Sequence, residues 1–452
     1  MTLYKHTPTF HNYRFKGNKN ESVAQRLWHF HDEHPLPPSV NRVARKGVYY
    51  LRRAHSAIRT PKPVNGRDEY GDLVVPKQSF LTPRASFAPP PLESIEARFR
   101  HLHEMNEHLY NGDGSWEMNE YARYYGSGVP IEEVSYRVLG YLSAYETFGD
   151  PVFLERAVEG GRYLLRERLF ANGHMRLESH LVVELEYTFA GLALLALYRF
   201  DPSAREYLDA ACRIGDRLVE EHCTGCVDHA ALPAQLLGPL YQLTGRPRYL
   251  RAALHRILTH AVPLQLPYGG WKGEDSFTWY HSIITKSAIV AYLSTPNTLA
   301  FYAKKDRIAR TVTAGINRLL ACQNEDGSLR MGRGNVRKDY NYTRHTVRFE
   351  GGTFVRAASD LDSYVGPNEI DVLVSGFEDL AAQPAAIAAH GYAHAMLASD
   401  VTCRPEFDTF ALARYAAFLV GLQGVSEQTR VKLGVAEAQR APAVANSRPP
   451  PR

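Results

Sequence analysis

The feature that most narrows what this chain can fold into is a helix–turn–helix punctuation that returns roughly every fifty residues. From Ser135 onward apolar residues fall at helical spacing, first at Val138, Leu139, Leu142 and Tyr145, then at Phe153, Leu154, Ala157, Val158, Leu164 and Leu165. Between the two runs stands Phe148-Gly-Asp-Pro151. Glycine suits a helix C-terminus and proline the first turn of the next helix, so this segment predicts an antiparallel pair. The turn returns at Phe200-Asp-Pro202 and at Leu243-Thr-Gly-Arg-Pro247, and a divergent fourth unit runs from Ser276 to about Gln323. A helical hairpin of this kind cannot bury its apolar face alone, so such repeats must stack on one another.

A second recurrent element joins the far ends of these pairs: Asn111-Gly-Asp-Gly-Ser-Trp116, Asn172-Gly-His-Met175, Tyr268-Gly-Gly-Trp271 and Asn324-Glu-Asp-Gly-Ser-Leu329. Glycine supports the tight turn and the bulky residue after it anchors the loop to the helices, which places all these loops on one face. That face is where a cleft is expected. Helix pairs of this period with Gly-Ser-Trp-like loops resemble the six-hairpin α/α toroid shared by many polysaccharide lyases, glycoside hydrolases, sugar epimerases and terpenoid cyclases. The resemblance covers residues 95–424 and implies an all-α, (α/α)6-type ring. The closing pairs, around Leu373 to Ala398 and Phe407 to Leu422, are less regular than the others.

Residues 1–94 are rich in proline and basic side chains, as in His34-Pro-Leu-Pro-Pro38 and Arg42-Val-Ala-Arg-Lys46, and read as an irregular arm. Residues 425–452 read as a tail, disordered from about 441, where Ser447-Arg-Pro-Pro-Pro-Arg452 offers neither helix donors nor apolar burial. A hydrophobic share of 44% and a charged share of 22% fit a globular protein. The net charge of +5 is too mild to suggest a nucleic-acid partner. No run is apolar enough for a membrane span and none reads as a secretory signal, so a cytoplasmic protein is expected. Five cysteines do not make a disulfide framework, and Cys223-Thr-Gly-Cys226 lacks the second pair that a structural zinc site wants; no metal and no cofactor are expected.

Three segments carry candidate chemistry. Gly269 to His281 combines Trp271, Glu274, Asp275, Trp279, Tyr280 and His281 before an apolar helix; the tryptophans suit stacking on sugar rings, and the tyrosine and histidine suit proton transfer. A strip from Arg330 to Glu350 holds Tyr340, Tyr342, Arg344, His345 and Arg348, and its arginines match the carboxylates of an acidic polymer. Glu184 and Glu186 open a helix; being two apart they do not share a face, so only one is expected to point into the cleft, while Asp228 is expected to cap the next helix start.

Toroidal lyases commonly use a tyrosine as acid/base with histidine or arginine beside it. The resemblance therefore implies β-elimination on a uronic-acid glycan, with Tyr280 or Tyr342 carrying the proton, His281 or His345 as its partner and Arg344 or Arg348 on the sugar carboxylate. The substrate would be an acidic oligo- or polysaccharide. Glycoside hydrolysis is the alternative, with Glu184 or Glu186 set against Glu274 or Asp275. A carbohydrate-binding toroid without catalysis is the third reading. Terpenoid cyclisation is disfavoured, because the sequence has no Asp-rich DDxxD or DxDD run.

Overall fold

The computed structural model describes residues 73–84, 86–117, 131–175, 183–220, 227–271, 277–330, 347–357, 367–380, 383–402 and 404–423. Its helices are α1 Leu92–His108, α2 Ile131–Phe148, α3 Pro151–Tyr163, α4 Val183–Phe200, α5 Arg205–Glu220, the short α6 Val227–Ala231, α7 Ala234–Thr244, α8 Pro247–Arg256, α9 Thr278–Ser294, α10 Leu299–Cys322, α11 Pro367–Leu380, α12 Gln383–Ala398 and α13 Pro405–Gln423. Single π turns prolong α3 (Leu164–Arg168) and α8 (Ile257–Ala261). A two-stranded antiparallel hairpin, β1 Val347–Glu350 and β2 Thr353–Arg356, packs Phe349 and Phe354 on His108 of α1.

Side-by-side packing runs α2–α4–α7–α9–α11–α13 and back to α2, a closed inner ring. Each inner helix has an outer partner: α3 behind α2, α5 behind α4, α8 behind α7, α10 behind α9, α12 behind α11 and α1 behind α13. Six hairpins therefore close an (α/α)6 toroid, including the less regular C-terminal pairs. Closure is tight because Gly140 of α2 lets the backbone of Phe410 approach; a Cβ there would lie about 3.0 Å from its N and Cα.

The expected turns form as their residues dictate. Gly149 takes a left-handed φ of 76°, the Asp150 side chain accepts the Val152 N–H at 3.2 Å, and Pro151 starts α3. Gly245 and Pro247 repeat the arrangement between α7 and α8. Pro202 differs: it lies within the turn, where Asp201 accepts the Ser203 N–H at 3.0 Å, and α5 starts only at Arg205.

The return loops run from an outer helix C-terminus to the next inner helix, so they share a face with the inner N-termini. Trp116, Met175, Trp271 and Leu329 are buried as anchors. In the Asn111 and Asn324 loops one bonding pattern recurs: asparagine Nδ2–H donates to serine Oγ, and serine N–H and O–H both donate to the intervening aspartate.

Of the N-terminal stretch, residues 73–84 and 86–91 lie along the outer layer. Val75 N–H donates to the Pro267 carbonyl at 3.0 Å, and Asn317 of α10 accepts Leu81 N–H at 2.7 Å while donating to the carbonyls of Pro76 and Ser79. No described helix is long and apolar enough to cross a membrane.

Candidate functional site

The inner N-termini open on the return-loop face, and four of the six inner helices carry acids in their first turn: Glu132 and Glu133 on α2, Glu184 and Glu186 on α4, Glu369 on α11, Glu406 and Asp408 on α13; Asp228 opens the short α6 that precedes α7, and Asp371 follows in the second turn of α11. All are buried. Carboxylates favour helix N-termini electrostatically, but surface capping acids keep their solvent, so burial of the whole set marks the ring mouth as a distinct environment.

Below the mouth, the ring axis is filled by an aromatic cluster drawn from α2, α4, α9 and α13, with Leu232 added just after α6. Tyr136 stands 4.5 Å from both Phe189 and Phe407, and Trp279 4.8 Å from Phe407. Tyr280 packs on this cluster while staying partly accessible.

Glu132 lies one and two turns above Tyr136 and Leu139 on the same helix face, which aims it at the axis. Burial first, then the charges of Glu133, Glu186 and Glu406, push its pKa up to about 8 against the pull of Arg404 at 3.9 Å. Glu133 is likewise pushed up to about 7, mainly by burial. At Glu406 burial also opposes the charge, but Arg137 at 3.2 Å and Arg404 at 2.7 Å outweigh it and hold the carboxyl below its ordinary value. Arg404 also pairs with Glu133 and stacks over Phe407, 3.8 Å from the ring centroid. One mouth thus holds carboxyl groups tuned in opposite directions.

Across the ring, His229 Nε2 lies 3.4 Å from Asp228 Oδ2. Glu184 shares a helix face with Gly191, which meets Leu236 of α7, so it turns toward the third hairpin; Glu186 turns toward Glu132.

The other expected residues are scattered. Trp271 is fully buried, its Nε1–H donating to the Ala261 carbonyl at 2.9 Å. His281 is buried against it, with ring centroids 5.3 Å apart, and its Nε2–H donates to the Gly315 carbonyl of α10 at 2.8 Å. Burial pushes the His281 pKa down to about 3 and keeps the ring neutral. Both side chains face the outer layer, so stacking on a sugar by Trp271 and proton transfer by His281 do not fit their positions. Arg348 lies on β1, half exposed and paired with Asp400 at 2.7 Å, on the strand whose Val347 pairs with Thr402 just before α13. Asp275, Tyr340, Tyr342, Arg344, His345, Cys223 and Cys226 lie outside the described residues. Among the described residues no group of acids, histidines and cysteines is arranged to hold a metal ion.

Glu132, Glu133, Arg404 and Glu406 were not anticipated from the sequence. Their signal is an acid at the same early position in successive inner helices, visible once Ile131-Glu-Glu133 and Pro405-Glu-Phe-Asp408 are aligned with Val183-Glu-Leu-Glu186.

No family model matches the sequence, and no curated protein matches it significantly. Solved structures do resemble the fold. An unsaturated glucuronyl hydrolase from Streptococcus agalactiae superposes with a TM-score of 0.52 at 13% identity, over 79% of this chain and 97% of that one. A sugar epimerase from a ruminal bacterium gives 0.52 at 11% identity, over 74% and 99%. A glycosyl hydrolase family 88 protein from Bacteroides vulgatus gives 0.51 at 9% identity, over 74% and 99%. At such identities the likeness is one of fold, and the fold of this chain is that of the α/α-toroid enzymes.

Proposed function

We propose that this protein is a carbohydrate-active enzyme that hydrolyses a glycosidic bond at the mouth of its inner ring. Glu132 is the general acid and Glu186, on the neighbouring inner helix, the base that activates water. The observation that carries this reading is Glu132 itself: a carboxyl aimed at the axis, protonated near neutral pH, beside Glu406 held ionised. Acid catalysis of glycoside cleavage needs a proton available at working pH, which Glu132 supplies, while the ion-paired Glu406 beside it takes no part in the proton transfer. Tyr280, packed on the aromatic floor and partly accessible, offers an apolar face for a sugar ring. The α/α-toroid neighbours, hydrolases and an epimerase of sugars, are consistent with a glycan substrate.

Glu132→Gln keeps the shape and removes the proton, and is expected to lower kcat by about 10²- to 10⁴-fold on a cleavable glycan. The wild-type rate should fall as pH rises through about 8, where Glu132 loses its proton. A Glu132→Gln enzyme with full activity would overturn the assignment. The β-elimination reading, with Tyr280 as proton carrier, instead requires an absorbing unsaturated product, so following absorbance alongside reducing-sugar release separates the two.

A further inference from the structure

Inner helix α11 gives no residue to the aromatic cluster. On its side the ring axis is lined by polar groups instead: Asp371 and Ser375, one turn apart on α11, with Lys286 of α9 and Arg414 of α13. Lys286 Nζ lies 3.3 Å from the Asp371 carboxylate and also donates to Ser375 Oγ; Arg414 Nε–H donates to Asp371 Oδ1 at 3.0 Å. Burial opposes ionisation of Asp371, but Lys286 and Arg414 outweigh it and hold its pKa below the ordinary value.

Lys286 follows Trp279 on α9, and Arg414 follows Phe407 on α13, by two helical turns, about 10 Å below the mouth. At that depth the flanking Thr285, Ser287, Ala413 and Tyr415 are fully buried. The Lys286 and Arg414 side chains nevertheless keep 18% and 28% of their surface accessible, so solvent enters the axis on this side. Lys286 Nζ meets both Asp371 oxygens at 3.3 Å and Ser375 Oγ, and the surface it keeps accessible is what a ligand would meet.

We propose that this polar side of the axis binds the carboxylate of an acidic sugar, with Lys286 as the charged donor and the Ser375 hydroxyl beside it. The inference rests on reading the mouth as a sugar-processing site and names the class of sugar it takes. An ammonium is a point charge on a flexible stem, so it accepts a carboxylate in several orientations, and the resulting hydrogen bond is of the stronger, charge-assisted kind. A neutral sugar presents a hydroxyl there and gains much less.

The test is calorimetric titration of the full-length protein with glucuronate, glucose and acetate at low ionic strength. Glucuronate is expected to bind at least about tenfold more tightly than glucose, and more tightly than acetate, which lacks the ring. Lys286→Met should abolish the preference and Lys286→Arg should keep most of it. Because removing Lys286 strips a partner from Asp371 and could loosen the ring, Ser375→Ala serves as a second variant; it should weaken glucuronate at an unchanged melting temperature. Equal affinity for glucuronate and glucose, no glucuronate binding, acetate binding as tightly as glucuronate, or full preference in Lys286→Met or Ser375→Ala would each overturn the proposal. Neither monosaccharide contains a glycosidic bond. A failure here therefore leaves the hydrolytic reading standing, and a failure of hydrolysis leaves this binding measurable.

Discussion

Glu369 places a carboxyl group in the packed interior with neither oxygen hydrogen-bonded. It shares a helix face with Gly376, which meets Ile316 of α10, so it looks away from the axis. Burial pushes its pKa up to about 8 from an ordinary 4.5. The folded protein therefore holds a proton that the unfolded chain releases above pH 4.5. The stability linked to this proton is fully present below that value and is lost as pH rises through about 8. Glu369→Met, which removes the ionisable group at similar volume, should raise the melting temperature more at pH 8 than at pH 5. An equal shift at both pH values would contradict a buried, protonated Glu369.

The same scale explains where the candidate aromatics lie. Trp279 and Tyr280 stand out in the sequence because aromatics crowd the start of an apolar helix, and they belong to or pack on the aromatic cluster, the role of Tyr280 at a site being part of the proposed function. Trp271 and His281 carried the same signal, yet lie on the opposite side of that helix start. Residue type marks chemistry, and only the helix phase decides whether it meets the cleft or the outer layer.

Among elements, the return loops were the most legible. The left-handed glycines Gly114, Gly173, Gly269 and Gly327 each sit against a backbone carbonyl of the next outer helix along the ring: Glu159 on α3, Arg213 on α5, Ala314 on α10 and Gly391 on α12. A Cβ would be strained by φ and would press on that carbonyl. Gly114→Ala should therefore cost clearly more than about 1 kcal/mol, whereas Gly112→Ala, at a φ of 84° with open space around it, carries only the conformational penalty. Chemical denaturation of the two variants would measure the difference, and equal losses would mean the loops do not brace the next hairpin. What the sequence hid at this scale was where α2 and α13 begin. Ile131 and Pro405 precede the clear apolar period, so Glu132, Glu133 and Glu406 fell outside the helices expected from it.

Over the whole molecule, closure brings residues far apart in sequence together. α13 packs on both α1 and α2, and Arg404, just before α13, pairs with Glu133 and Glu406 while its partner Glu406 also meets Arg137. Removing one side of a buried ion-pair set leaves uncompensated charge, so Arg404→Met should cost about 3–5 kcal/mol. It should also raise the pKa of Glu406 and disturb the mouth. Normal stability in Arg404→Met would show that the clasp is dispensable. Such pairings are illegible in a single sequence because nothing local couples residue 133 to residue 404. The hairpin repeat and its recurrent glycine loops made the ring itself readable.

The central claim is that Glu132 delivers a proton to a glycosidic oxygen at the ring mouth. The most direct measurement compares wild type and Glu132→Gln on a uronic-acid-containing oligosaccharide, recording reducing ends and unsaturated product together, with melting temperatures as the control for folding. The predicted result is reducing-end release without unsaturated product, reduced by at least about 100-fold in Glu132→Gln at an unchanged melting temperature. Undiminished release by Glu132→Gln, or an unsaturated product from the wild type, would contradict it.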